Sequence, residues 1–141
     1  MALKVFVDSD VVISSLISST GAAFLLLNQT TDLELFISNT SKDELEKVVD
    51  RLDLSSVLLK QLTQTRFTII NLEKTLEEIK KDFEDYVLDI DDAHIVAGAK
   101  KAEVNFLISY NTKHFKVDKI KDDFNIILTT PSNLLQYLRS I

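Results

Sequence analysis

Five carboxylates in this chain stand where acids are awkward for a surface and useful for chemistry. Asp8 closes the apolar run Leu3-Lys4-Val5-Phe6-Val7, and Asp10 follows two residues later. A carboxylate at the end of a buried strand projects from the carboxyl edge of its sheet, where open α/β folds place their ligands. Its local alternative is a helix N-cap, a role Asp favours. Glu44 is the next. At 100° per residue, Leu45, Val48, Val49 and Leu52 share one helical face; Glu44 borders that face, while Glu46 and Asp50 point to solvent. An acid on the margin of a buried stripe loses water and needs a cation or donor. The local alternative is a capping box, since Ser41-Lys42-Asp43-Glu44 reads S-x-x-E. Asp91 and Asp92 complete the set. They open a helix whose apolar stripe is Ile95, Val96, Ala99 and Ala102, and Asp92 lies on that stripe. One acid there suffices as a cap or for the helix dipole. Several brought together repel unless protons or a cation intervene. Oxygen-only donors suit magnesium or manganese better than zinc. His94 is expected on the opposite face, beside Lys101, as a surface histidine.

The elements that must position these acids are legible from periodicity. Strands are expected at 3–7, 33–37, 67–70, 105–109 and 124–128. Helices are expected at 11–17, 22–27, 41–52, 54–66, 73–87 and 91–102. A last helix over 131–139 starts at Pro131, which suits a first helical turn. Strands separated by helical segments imply a mostly parallel central sheet with helices on both faces. No internal repeat or low-complexity segment interrupts the pattern, so residues 1–141 read as a single domain.

The composition agrees. Hydrophobic residues make up 45% of the 141 residues and charged residues 27%, the balance of a globular protein. Two Gly and one Pro leave little room for flexible linkers, and the absence of Cys excludes disulfides, thiolate metal sites and cysteine nucleophiles. No signal peptide and no apolar run near the roughly 20 residues of a membrane helix is visible, so a cytoplasmic protein with no membrane association is expected. The net charge of −6 runs against the basic footprint usual for nucleic-acid binding. Lys100, Lys101, Lys113, Lys116, Lys119 and Lys121 nevertheless crowd one segment, either as a solvated face or as a rim for phosphates.

Three segments carry a resemblance to the PIN domain family, especially its VapC-like toxin branch. Val5-Phe6-Val7-Asp8-Ser9-Asp10-Val11-Val12-Ile13-Ser14 is similar to the family's opening strand and turn, with Asp8 on its first metal-binding acid. Ser38 through Leu45 resembles the second motif, with Glu44 on its acid. Asp91 through Ala99, continuing from Phe106 to Phe115, is the longest match. It places Asp92 on the third acid and Ser109 on a small-hydroxyl position. Asn111 stands where many members have a fourth Asp, and Asp10 stands where Asn or Ser is more usual.

The resemblance implies a single PIN-like domain that hydrolyses RNA with Mg2+ or Mn2+. Asp8, Glu44, Asp92 and Asn111 would hold the ion, with Asp10 and Asp91 auxiliary. Ser109 would orient a carboxylate or water, and Lys113, His114 and Lys116 would contact RNA phosphates. In the toxin branch it further implies a homodimer neutralised by a small antitoxin protein. Two alternatives stand beside it. One is a catalytically weak PIN-like scaffold used for binding. The other is a haloacid-dehalogenase-like phosphatase, in which Asp8 of Asp8-Ser9-Asp10-Val11-Val12 is a covalent nucleophile and Asp10 its acid/base partner.

Overall fold

The computed structural model describes residues 2–141. Its centre is strand β1 (Leu3–Val7), paired in parallel with β2 (Leu33–Ser38) on one side and β4 (Phe106–Ile108) on the other. Strands β3 (Phe67–Ile70) and β5 (Ile127–Thr129) extend the sheet outward, giving the order β3-β2-β1-β4-β5 with every pairing parallel. The chain therefore begins in the middle, winds out one way through β2 and β3, then returns to wind out the other way. Between β1 and β4 the connections diverge, leaving a crevice at the carboxyl edge where such sheets bind ligands.

Helices cover both faces, as expected. Alternation along β1 sends Val5 and Val7 to one side and Phe6 to the other, all three fully buried. The Val5 side packs against α1 (Ser9–Ile17), the short α2 (Ala22–Phe24), α3 (Asn39–Arg51), α4 (Ser56–Thr65) and α8 (Pro131–Ser140). The Phe6 side packs against α5 (Leu76–Phe83), α6 (Ala93–Lys101) and α7 (Val117–Phe124). A Cβ placed on Gly98 of α6 would come within 2.6 Å of the Phe6 ring. Glycine at this position lets α6, which starts at the candidate site, lie directly on the central strand. No single described helix is long and apolar enough to cross a membrane.

Several boundaries differ from expectation for local reasons. The helix expected over 73–87 starts at Leu76, where Thr75 and Glu78 form a reciprocal capping box, and stops at Phe83. Beyond a 3-10 turn, Glu84–Tyr86, the chain straightens. Val87 bridges Phe115, and Leu88 N–H donates to the His114 carbonyl at 2.7 Å. The helix expected from residue 91 begins at Ala93, behind a 3-10 turn over Ile90–Asp92. Residues 22–27 are α-helical only to Phe24, with a π-helical stretch over Leu25–Gln29. Helix α7 was absent from the expected elements, and Phe124 ends it instead of opening the last strand.

Gly98→Ala is expected to destabilise the protein by about 1–3 kcal/mol, the usual cost of overpacking a rigid core. Gly21→Ala, whose Cβ would meet only Ser18 Oγ at 4.0 Å, should shift stability far less. Denaturant unfolding of the two variants checks this contrast.

Candidate functional site

The crevice between β1 and β4 is lined by the residues that follow those strands. The Asp8 N–H donates to the Ile108 carbonyl at 3.0 Å and the Ser109 N–H to the Thr129 carbonyl at 3.1 Å, which locks both residues to the sheet edge. Asp8 serves as the N-cap of α1, its Oδ1 accepting from the Ser9 N–H at 2.7 Å. Its Oδ2 accepts from the Ser109 hydroxyl at 2.8 Å. The cap and the candidate ligand are thus one residue, and the two sequence readings of Asp8 are compatible. Asp10 Oδ2 accepts from the Tyr110 N–H at 2.9 Å and lies 3.4 Å from the Ser109 hydroxyl, while the Asn111 N–H donates to Ser109 Oγ at 3.0 Å. Ser109 has a single proton for two acids, and the shorter distance assigns it to Asp8. Asp10 Oδ1 is buried without a hydrogen-bond partner.

Asp92 reaches the same edge from the start of α6, and its charge acts on Asp8. Asp92 Oδ2 lies 3.3 Å from His114 Nδ1. Among the described residues, the trio whose ligand atoms all fall within 4.8 Å of one another is Asp89, Asp92 and His114. The expected triad of Asp8, Glu44 and Asp92 is more open than that. Asp91 turns to solvent, where it pairs with Lys80 at 3.5 Å. Asn111 is exposed and joins the cluster through its backbone. Glu44 forms no capping box, because Ser38 caps α3 and Ser41 is fully buried. Instead Glu44 Oε1 lies 3.2 Å from His94 Nε2. A cleft of about 190 Å³ lined by Glu44, Leu76, Ile79, Lys80, Ile90, Asp91 and His94 flanks this contact.

The cluster is electrostatically loaded. Burial, then the neighbouring Asp10 charge, pushes the Asp8 carboxyl up to about 7 against the opposing pull of its bonds from Ser109 and Ser9. Burial also raises Asp10, and burial followed by repulsion from Asp89 raises Asp92, with His114 pulling the other way. Three carboxyls that resist ionisation together, one carrying an unpartnered buried oxygen, form a donor set suited to a hard divalent cation such as Mg2+ or Mn2+.

The lysines do not gather into one rim. Lys113 and Lys116 are exposed on the segment after β4. Lys100 sits over the Phe83 and Phe124 rings, Lys101 donates to the Asn71 carbonyl, and Lys119 pairs with Asp123 at 3.2 Å.

Two residues escaped the sequence reading. Asp89 caps the 3-10 turn, its Oδ1 accepting from the Asp91 N–H at 3.0 Å, and adds a carboxylate beside Asp92. The D-x-D spacing of Asp89-Ile90-Asp91 was its signal, since Asp side chains bond the backbone two residues on. His94 is buried, only 6% exposed, and not the surface residue expected. Every residue from Ala93 to Ala99 is buried, so α6 has no solvent face there. An unbroken apolar run around one imidazole was the available cue.

A sequence profile of the PIN domain family matches residues 4–113. The chain belongs to the PIN domain family. Among curated proteins none matches significantly. Solved structures resemble this PIN domain across most of its length. A toxin–antitoxin complex from Klebsiella pneumoniae has a chain 23% identical, covering 90% of this chain and 97% of its own, with a TM-score of 0.63. The FitAcB structure from Neisseria gonorrhoeae is 18% identical, covers 90% and 97%, and has a TM-score of 0.58. The VapC20 toxin of Mycobacterium tuberculosis, described as cleaving the sarcin-ricin loop, is 18% identical over 85% and 95%, with a TM-score of 0.55. At such identities these likenesses establish the fold. Family membership also leaves the phosphatase alternative without support.

The raised Asp8 carboxyl has a consequence for stability. Between the ordinary value of 3.8 and about 7, this residue binds more proton in the folded state than in the unfolded chain. Its contribution to stability therefore falls as pH rises through that window. In EDTA, the PIN domain's unfolding temperature is expected to decline from about pH 5 to about pH 7.5. Asp8→Asn, which keeps a capping oxygen, should flatten much of the decline. A slope unchanged in the variant would contradict the assignment.

Proposed function

We propose that this PIN domain is a divalent-metal-dependent endoribonuclease, with residues 1–141 working as one catalytic unit. The observation that carries the reading is the convergence of Asp8, Asp10 and Asp92 on the crevice between β1 and β4, each carboxyl raised by burial. The fold shared with VapC20, a toxin described as cleaving the sarcin-ricin loop, supports RNA as the substrate. The neighbour solved as a toxin–antitoxin complex supports a toxin role and an antitoxin partner; a small antitoxin and a cytoplasmic setting accord with that role. A homodimer accords with the toxin branch.

Asp8, Glu44 and Asp92 would hold Mg2+ or Mn2+, with Asn111 contributing an amide oxygen. When bound, the ion supplies polarisation of the scissile phosphate and a lowered pKa for an attacking water. The chain's own groups prepare the site. Ser109 fixes the Asp8 carboxylate by donating to Oδ2, and the Tyr110 N–H fixes Asp10. Asp10 adds negative charge beside Asp8, offsetting the neutral Asn111. Exposed Lys113 and Lys116 meet flanking phosphates, and His114 holds the Asp92 carboxylate from that same segment. Asp91, turned toward Lys80, is auxiliary at most. The exposed, uncharged Asn111 favours one alternative, a catalytically weak PIN scaffold that binds RNA without turnover.

Cleavage of a mixed RNA panel with Mg2+, Mn2+ or EDTA tests the proposal. Wild type should cut only with metal, and Asp92→Asn should lose about two orders of magnitude or more, comparable to removing one charge-stabilising group elsewhere. Asp10→Asn should lose less. A folded protein that binds metal and RNA but turns over nothing would favour the scaffold.

A further inference from the structure

We infer that His94 is a positioning residue that holds the Glu44 carboxylate at the metal centre, reaching across the sheet edge from the opposite helical layer. The inference rests on the proposed metal-binding role of Glu44. Glu44 belongs to α3, whose Leu45 and Val49 pack on the Val5 side of the sheet. His94 belongs to α6, which packs on the Phe6 side. Their 3.2 Å contact therefore ties the two layers together over the carboxyl ends of the strands.

The two partners are unequal. The Glu44 side chain is 49% exposed and makes no other ion pair or hydrogen bond within the described structure, so left alone it would sample many rotamers. The His94 side chain is 7% exposed and immobilised in α6. Lys80 lines the same cleft but is engaged by Asp91. Glu44 thus takes its orientation from a rigid imidazole.

The contact runs through Nε2, while Nδ1 is buried and has no hydrogen-bond partner. Outer residues that orient metal-binding carboxylates and imidazoles typically change metal affinity by about 10–100-fold when removed.

The test uses the whole chain and Mn2+ alone, with affinity read by electron paramagnetic resonance of free Mn2+ at one fixed pH. His94→Leu, which keeps an apolar side chain in the core, should weaken binding about 10-fold. His94→Gln, whose amide can place an N–H near the Nε2 position, should stay within about 2-fold of wild type. The double variant His94→Leu/Glu44→Gln should bind no more weakly than Glu44→Gln alone, because His94 acts only through Glu44. The Nε2 nitrogen-15 signal of the imidazole should shift in Glu44→Gln, because the contact runs through that atom. Wild-type affinity in His94→Leu, additive losses in the double variant, or an Nε2 signal unmoved by Glu44→Gln would each overturn the inference. Should Glu44→Gln leave Mn2+ affinity unchanged while the Nε2 signal still shifts, the metal role of Glu44 fails and the inference fails with it.

Discussion

Everything at this site depends on carboxylates being held out of water at the junction of β1 and β4. Asp8 is 8% exposed, and its two oxygens are taken by the Ser9 N–H and the Ser109 hydroxyl. Those bonds offset only part of the cost of burial and of the neighbouring Asp10 and Asp92 charges. Such an arrangement persists only where the backbone beneath it cannot yield. The buried core strands provide that rigidity. So does the close approach of α6 to β1, which sets Asp92 at the same edge as Asp8 with Gly98 against the Phe6 ring.

The site draws on both helical layers. Asp8 and Asp10 come from the start of α1 on one side, where Glu44 of α3 lies against His94; Asp92 comes from the start of α6 on the other. The segment after β4 closes the arrangement, with Ser109, the Tyr110 N–H and His114 each contacting an acid. A doubly wound sheet makes this economical, since a single crevice receives residues from three separated stretches of chain.

Periodicity revealed the five strands and most helices because buried parallel strands and amphipathic helices leave strong patterns. It missed α7, although Val117, Ile120 and Phe124 are spaced for one helical face; the lysines between them drew the reading toward a charged surface. Asp8, Asp10 and Asp92 were legible as acids at strand and helix ends, and the structure brings them to one edge. Glu44 was legible as an acid on the margin of a stripe, but its partner was not, because a contact between α3 and α6 has no local spacing. His94 was misplaced for a related reason. Amphipathic logic assumes a solvent face, and the Ala93–Ala99 stretch of α6 has none. The interplay of Asp89, Asp92 and His114 likewise joins residues from different segments that only the folded chain brings together.

Anomalous diffraction at the manganese edge from Mn2+-soaked crystals would test the central claim most directly. The account predicts a peak in the crevice between β1 and β4, in contact with both Asp8 and Asp92. A peak confined to Asp89 and His114, away from Asp8, or no peak in a well-ordered crystal at saturating Mn2+, would contradict it.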